Sequence, residues 1–131
     1  MKVKFISAYC LAILLFGVPE GYADDVSKGK GIFITNCIGC HAFSCNKEGP
    51  SLGGLFGRKA GSEKSYDGYS DGLKNYDVVW DENTLDVFFK DPSSIVLGTM
   101  AQFGKIDNAE HRQQLIAFLK TEDPTINLCA L

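Results

Sequence analysis

No block of basic residues occurs anywhere in this chain. Its 13 lysines and arginines are outnumbered by 16 aspartates and glutamates, giving a formal net charge of −3. Nucleic acid or an anionic membrane surface would find no cationic stripe to bind. Internal repeats and low-complexity linkers are also lacking, which argues against a solenoid or a string of domains. Between Ala42 and Val79 no alternating apolar and polar run marks a strand. Methionine and histidine are scarce, at two each in 131 residues, so every candidate soft or imidazole ligand can be weighed singly. One apolar run stands out, FISAYCLAILLFGV at residues 5–18, and it is shorter than the roughly 20 residues that span a bilayer.

That run has the form of a secretory signal. Lys2 and Lys4 precede it and Gly21-Tyr22-Ala23 supplies a small-x-small cleavage site, so a signal peptide over 1–23, cut before Asp24, is expected. A lipoprotein anchor at Cys10 fits less well, because Tyr9 precedes that cysteine and most of the apolar run follows it. The mature domain, 24–131, keeps 11 basic and 15 acidic residues after losing Lys2, Lys4 and Glu20, for a net charge of −4. A chain of about 108 residues buries only a modest core. Export, periplasmic or otherwise, implies an oxidising compartment, where thiols are paired, capped or ligated. Four cysteines remain there: Cys37, Cys40, Cys45 and Cys129.

The pattern predicts a first helix from Val26 to about Asn36, with Ile32 and Phe33 on its apolar side. A second is expected over Glu82–Lys90, capped by Asp81 and stopped by Pro92; Leu85, Phe88 and Phe89 carry its spacing. A last helix should follow Asp107, with Glu110 completing a capping-box-like start and Leu115, Ile116, Phe118 and Leu119 forming its apolar face. The glycine-, serine- and tyrosine-rich stretch from 42 to 79 is long for a structureless loop in a small domain. It makes sense wrapped around a bulky group that is not protein. The expected fold is mostly α, with long loops.

Residues 37–41 read C-I-G-C-H, the attachment signature of a c-type haem. Two thiols at this spacing can add to the two vinyl groups of a porphyrin, and His41 then sits under the iron as proximal ligand. Zinc would want a second pair of ligands, and Cys45 and Cys129 are poorly spaced for that. A thioredoxin-like redox pair would want a βαβ setting, which is not visible. A structural disulfide with an incidental histidine is the bland alternative. A covalent haem also fills the centre of a chain with too little core.

With these landmarks the chain resembles a class I c-type cytochrome of the mitochondrial and bacterial c2 type, over about Ser27 to Lys120. The matching residues are Gly29 and Phe33, the C-I-G-C-H motif, GPSLGGLFGR at 49–58, the Tyr69 to Trp80 segment, Asp91-Pro92, Gly98-Thr99-Met100 and LIAFLK at 115–120. The resemblance implies crossed N- and C-terminal helices, a shorter middle helix and one covalently bound haem c. It implies that Gly29 and Phe33 meet Leu115 and Phe118, and that the Pro50 carbonyl accepts the Nδ1 proton of His41. Arg58, Tyr69 and Trp80 match positions near the haem propionates; Phe88 reads as ordinary core. Met100 is the implied sixth ligand, a thioether that would raise the potential. Two departures mark its loop: Leu97 stands where proline is usual, and Met100 follows Gly-Thr directly, so an ungapped reading puts Ala101 at the ligand position. His111 and Lys105 are distant rivals for that ligand, and a core methionine is the alternative use of Met100.

Relatives dock through lysines around an exposed haem edge. Here Ser93 and Ser94 hold the usual paired-lysine site, and Lys28, Lys30, Lys47 and Lys105 remain as candidate rim charges. Haem would consume Cys37 and Cys40, leaving Cys45 and Cys129 as an even pair in an oxidising compartment. In the family fold the tail beyond the last helix can reach the loop after the haem motif, so a Cys45–Cys129 disulfide is expected; two separate thiols are the alternative. The function expected is that of a soluble, monomeric, periplasmic one-electron carrier between redox proteins, not an enzyme. A haem protein with a labile sixth ligand for gas or peroxide, and a haem subunit of a larger oxidoreductase, are the other readings.

Overall fold

Two helices cross at a glycine, and the other described segments are arranged around that crossing. The computed structural model describes residue 17, residues 20–98, residues 104–126 and residue 129. Its elements are α1 (Glu20–Asn36), α2 (Asp71–Asn75), α3 (Glu82–Lys90), α4 (Pro92–Ile95) and α5 (Ala109–Leu119). Among the described residues there is no strand, only isolated antiparallel bridges at His41–Asn46 and Lys59–Val79. None of these helices is long and apolar enough to cross a membrane.

α1 packs against α5 because Gly29 has no side chain. A Cβ there would lie 1.9 Å from the Gln114 carbonyl oxygen and 2.8 Å from the Phe118 Cβ. One turn on, Phe33 and Phe118 are fully buried, with ring centroids 5.4 Å apart. Phe43 stacks on Phe33 at 5.5 Å and closes an aromatic triad. Each such ring contributes roughly 2–3 kcal/mol of burial plus favourable offset or edge geometry. Leu115, Ile116, Leu119 and Ile126 complete this part of the core.

The helix ends differ from the sequence expectation where local signals were weak or doubled. α1 begins at Glu20 rather than Val26. Residues 20–25 are exposed, so no apolar periodicity marks them; an acidic residue in the first turn and a Lys28–Asp24 pair at 2.9 Å favour helix there. α5 is capped by Asn108, whose Oδ1 accepts from the Glu110 and His111 amides at 2.8 and 3.2 Å, not by Asp107. The reason is Arg112, which is buried and donates to the Ile106 and Asp107 carbonyls and to Asp86 of α3. That engagement holds Asp107 outside the helix. α3 has the expected bounds and a reciprocal Asp81–Thr84 capping box. Pro92 ends α3 and also opens α4, with Asp91 capping it. α2, capped by Ser70, was not foreseen.

Beyond α5 the tail is strapped down. Glu122 accepts from the Gly54 amide at 2.7 Å, and Lys30 pairs with Asp123 at 2.9 Å. Hydrogen bonds from Thr125 and Lys30 hold the Asp123 carboxyl down at about 2, so this tie stays charged at ordinary pH. Ile126 is buried. Cys129 and Cys45 are joined in a disulfide, Cα atoms 5.9 Å apart.

The crossing makes a sharp prediction. Gly29→Ala should lower the unfolding free energy of the haem-loaded protein by about 3 kcal/mol, the upper part of the overpacking range. Gly31→Ala meets nothing within 4 Å and should raise it by up to about 1 kcal/mol, the helix preference of alanine over glycine. Denaturant titration of both variants checks the pair.

Candidate functional site

The site starts where α1 stops. The Cys37 and Ile38 amides still bond back to the Phe33 carbonyl, and the Cys40 and His41 amides both bond to the Cys37 carbonyl at 3.0 and 2.8 Å. The chain therefore makes one more tight turn between the two cysteines. Neither is in a disulfide; Cys37 is half-buried and Cys40 exposed. Burial, reinforced by Cys40, pushes the Cys37 thiol up to about 12, so it is held protonated.

His41 is fixed from two sides. Its Nδ1 lies 2.9 Å from the Pro50 carbonyl oxygen. A carbonyl can only accept, so Nδ1 carries the proton and Nε2 keeps a lone pair. Behind the ring, a Cβ on Gly49 would stand 2.3 Å from Cε1; glycine is required for the ring to sit there. The Gly49 amide donates to the Cys40 carbonyl at 2.8 Å, locking this backbone to the cysteine turn. Burial lowers the imidazole pKa; the Pro50 bond opposes this and the Lys47 charge adds to it. The neutral ring is the form that ligates a metal.

Asn46, which the sequence did not single out, and Lys47, expected only as a rim charge, hold the loop in place. Asn46 donates to the Ser65 carbonyl at 2.7 Å and accepts from the Ser51 amide at 2.7 Å, bridging segments 19 residues apart. Lys47 donates from Nζ to the Ile38 carbonyl at 2.6 Å. Neither has a local pattern to announce it.

Arg58 and Tyr69 converge on Glu63. Arg58 pairs with its carboxylate at 3.0 Å and also donates to the Gly53 and Ser51 carbonyls. The Tyr69 hydroxyl accepts from the Glu63 amide at 3.3 Å. Trp80 is buried between Tyr76 and Phe88 and joined to Arg58 by a backbone bond of 2.9 Å. Phe88 is core. Met100 and Ala101 lie outside the described residues; Leu97, just before them, is 81% exposed. His111 is exposed on α5. The candidate rim lysines are engaged: Lys28 with Asp24, Lys30 with Asp123, Lys105 with Asp107, Lys47 with Ile38. Ser93 and Ser94 are exposed, Ser93 hydrogen-bonded to Asp91.

A covalent haem fits this donor set. Two thiols outside any disulfide follow one another on a tight turn, the next residue offers an oriented Nε2, and a glycine leaves room for the imidazole. Ile38, beside the cysteines, and Leu52, Leu73, Phe89 and Ile95 elsewhere are only partly buried against the core.

The family model described as cytochrome c matches residues 26–123. A cytochrome c of Tetrahymena pyriformis is 44% identical over 105 residues, covering 79% of this chain and 92% of the relative. One of Arabidopsis thaliana is 39% identical over 101 residues, covering 75% and 89%. One of Cochliobolus lunatus is 39% identical over 101 residues, covering 75% and 93%.

Gly49→Ala should displace the His41 ring. We expect a haem-loaded protein about 2 kcal/mol less stable with a perturbed absorption spectrum. Gly39→Ala, whose Cβ meets nothing within 4 Å, should leave the spectrum unchanged. Optical spectra and thermal melts of the two variants decide.

Proposed function

The chain belongs to the cytochrome c family, and on that premise we propose that it is an exported, periplasmic, monomeric one-electron shuttle with His41 and Met100 as axial ligands. It carries one covalently attached haem c and is a haem-based electron carrier. The haem supplies a one-electron couple; this chain supplies the attachment, the ligand and the surroundings. The observation that carries the reading is the His41–Pro50 bond at 2.9 Å. It fixes the tautomer, orients the ring and raises the basicity of Nε2. Cys37 and Cys40 hold the group through thioethers, so it is not lost by dilution after export. Arg58, Tyr69 and Trp80 are assigned to the propionate side, where buried negative charge needs donors. Transfer makes and breaks no substrate bond, which separates this role from catalysis.

Met100 is the assigned thioether because, Met1 aside, no other methionine occurs in the chain. Met100→Ala should abolish the weak sulfur-to-iron band in the near infrared. It should also lower the reduction potential by on the order of 0.1 V, within the ~0.8 V that axial ligands command. Wild-type ferrous protein that binds carbon monoxide rapidly would overturn the ligand assignment and favour gas or peroxide chemistry.

Export and the Cys45–Cys129 disulfide share one check. The disulfide closes an 84-residue separation, worth on the order of 4 kcal/mol in the chain-entropy model, less whatever the haem linkage already restrains. Intact mass of the purified protein should correspond to a chain beginning at Asp24, plus one haem, minus two hydrogens. Alkylation of both Cys45 and Cys129 without reduction would remove the disulfide alone.

A further inference from the structure

Lys47 behaves unlike the other lysines singled out in the sequence. Lys28, Lys30 and Lys105 each meet a carboxylate, which cancels their charge locally. Lys47 is half-buried, and its recorded partner is the neutral carbonyl of Ile38, at 2.6 Å. That carbonyl belongs to the first residue between the two attachment cysteines. It lies just past the end of α1, where carbonyls lack an intrahelical donor and the helix dipole presents its negative end.

The side chain is also aimed from a fixed base. The Lys47 amide bonds to the Gly49 carbonyl at 2.9 Å, and the Gly49 amide bonds to the Cys40 carbonyl at 2.8 Å. Gly49 in turn backs the His41 ring. The ammonium and the imidazole therefore belong to one hydrogen-bonded unit that includes both ends of the attachment turn. A freely solvated lysine keeps its rotamer freedom; this one gives it up to stay beside the ligand.

We infer that Lys47 is a positioning residue of the redox centre, clamping the attachment turn through Ile38 and holding an uncancelled positive charge on the His41 side that favours the reduced state. The inference rests on the electron-carrier reading above. Reduction moves one electron from a reduced redox-protein donor, which is oxidised by one, and needs no proton. The reduced state is less positive by one unit, so a fixed cation nearby stabilises it relative to the oxidised state. Partial burial limits solvent screening of that effect.

The test is the potential of haem-loaded Lys47 variants, measured by optical titration at low ionic strength. Lys47→Met should cut the ferrous-to-ferric ratio at a fixed applied potential about threefold, about 28 mV at 59 mV per tenfold for one electron. Lys47→Gln keeps a donor without the charge and should show the same fall with a smaller loss of thermal stability. Lys47→Arg should restore the wild-type ratio. If Lys47→Met does not load haem, Lys47→Gln carries the measurement. Wild-type ratios in the uncharged variants, with haem intact, overturn the role of Lys47 and leave the carrier reading standing. A wild-type protein without covalent haem overturns the carrier reading itself, and this inference with it.

Discussion

The contact between the Gly29 backbone and the Gln114 carbonyl is the constraint from which the rest follows. Two helices that touch through backbone have little freedom to slide. Phe33 must then meet Phe118 one turn later, and Asn36 must end α1 at one place. The cysteine turn hangs from that end by bonds to the Phe33 and Cys37 carbonyls. Gly49 hangs from Cys40, and Pro50 receives His41. The orientation of a single imidazole thus descends, bond by bond, from a missing side chain 12 residues upstream. Interiors are too closely packed to absorb an added methyl at the start of such a series.

What was legible in the sequence was chemistry with fixed spacing and helices with complete local signals. C-I-G-C-H is readable because two thioethers and a ligand demand that order. α3 is readable because Asp81 and Thr84 cap it reciprocally, Leu85 and Phe88 bury one side and Asp-Pro stops it. Where two residues can do one job, the sequence is mute. Asp107 and Asn108 are both competent caps, and a buried arginine on the next turn decides between them. Where a segment packs against nothing, as at residues 20–25, periodicity has nothing to record. α2, five residues long, is too short to show a period at all. The turn carrying Cys37, Cys40 and His41 was legible, and its supports were opaque. Asn46 and Lys47 act through partners up to 19 residues away, and polar loop residues carry no pattern for such contacts.

Charge was the least legible property, because a lysine in a sequence does not say what it faces. A lysine beside a carboxylate is a dipole, and its field decays faster than that of a lone charge. Surface pairs of this kind contribute only about 0–1 kcal/mol to stability, yet they erase the long-range attraction that speeds encounter. Lys28, Lys30 and Lys105 are all of this type, on a chain whose net charge is already negative. Beyond a Debye length of roughly 8–10 Å they offer a partner almost no positive field. These three lysines therefore add little to long-range steering.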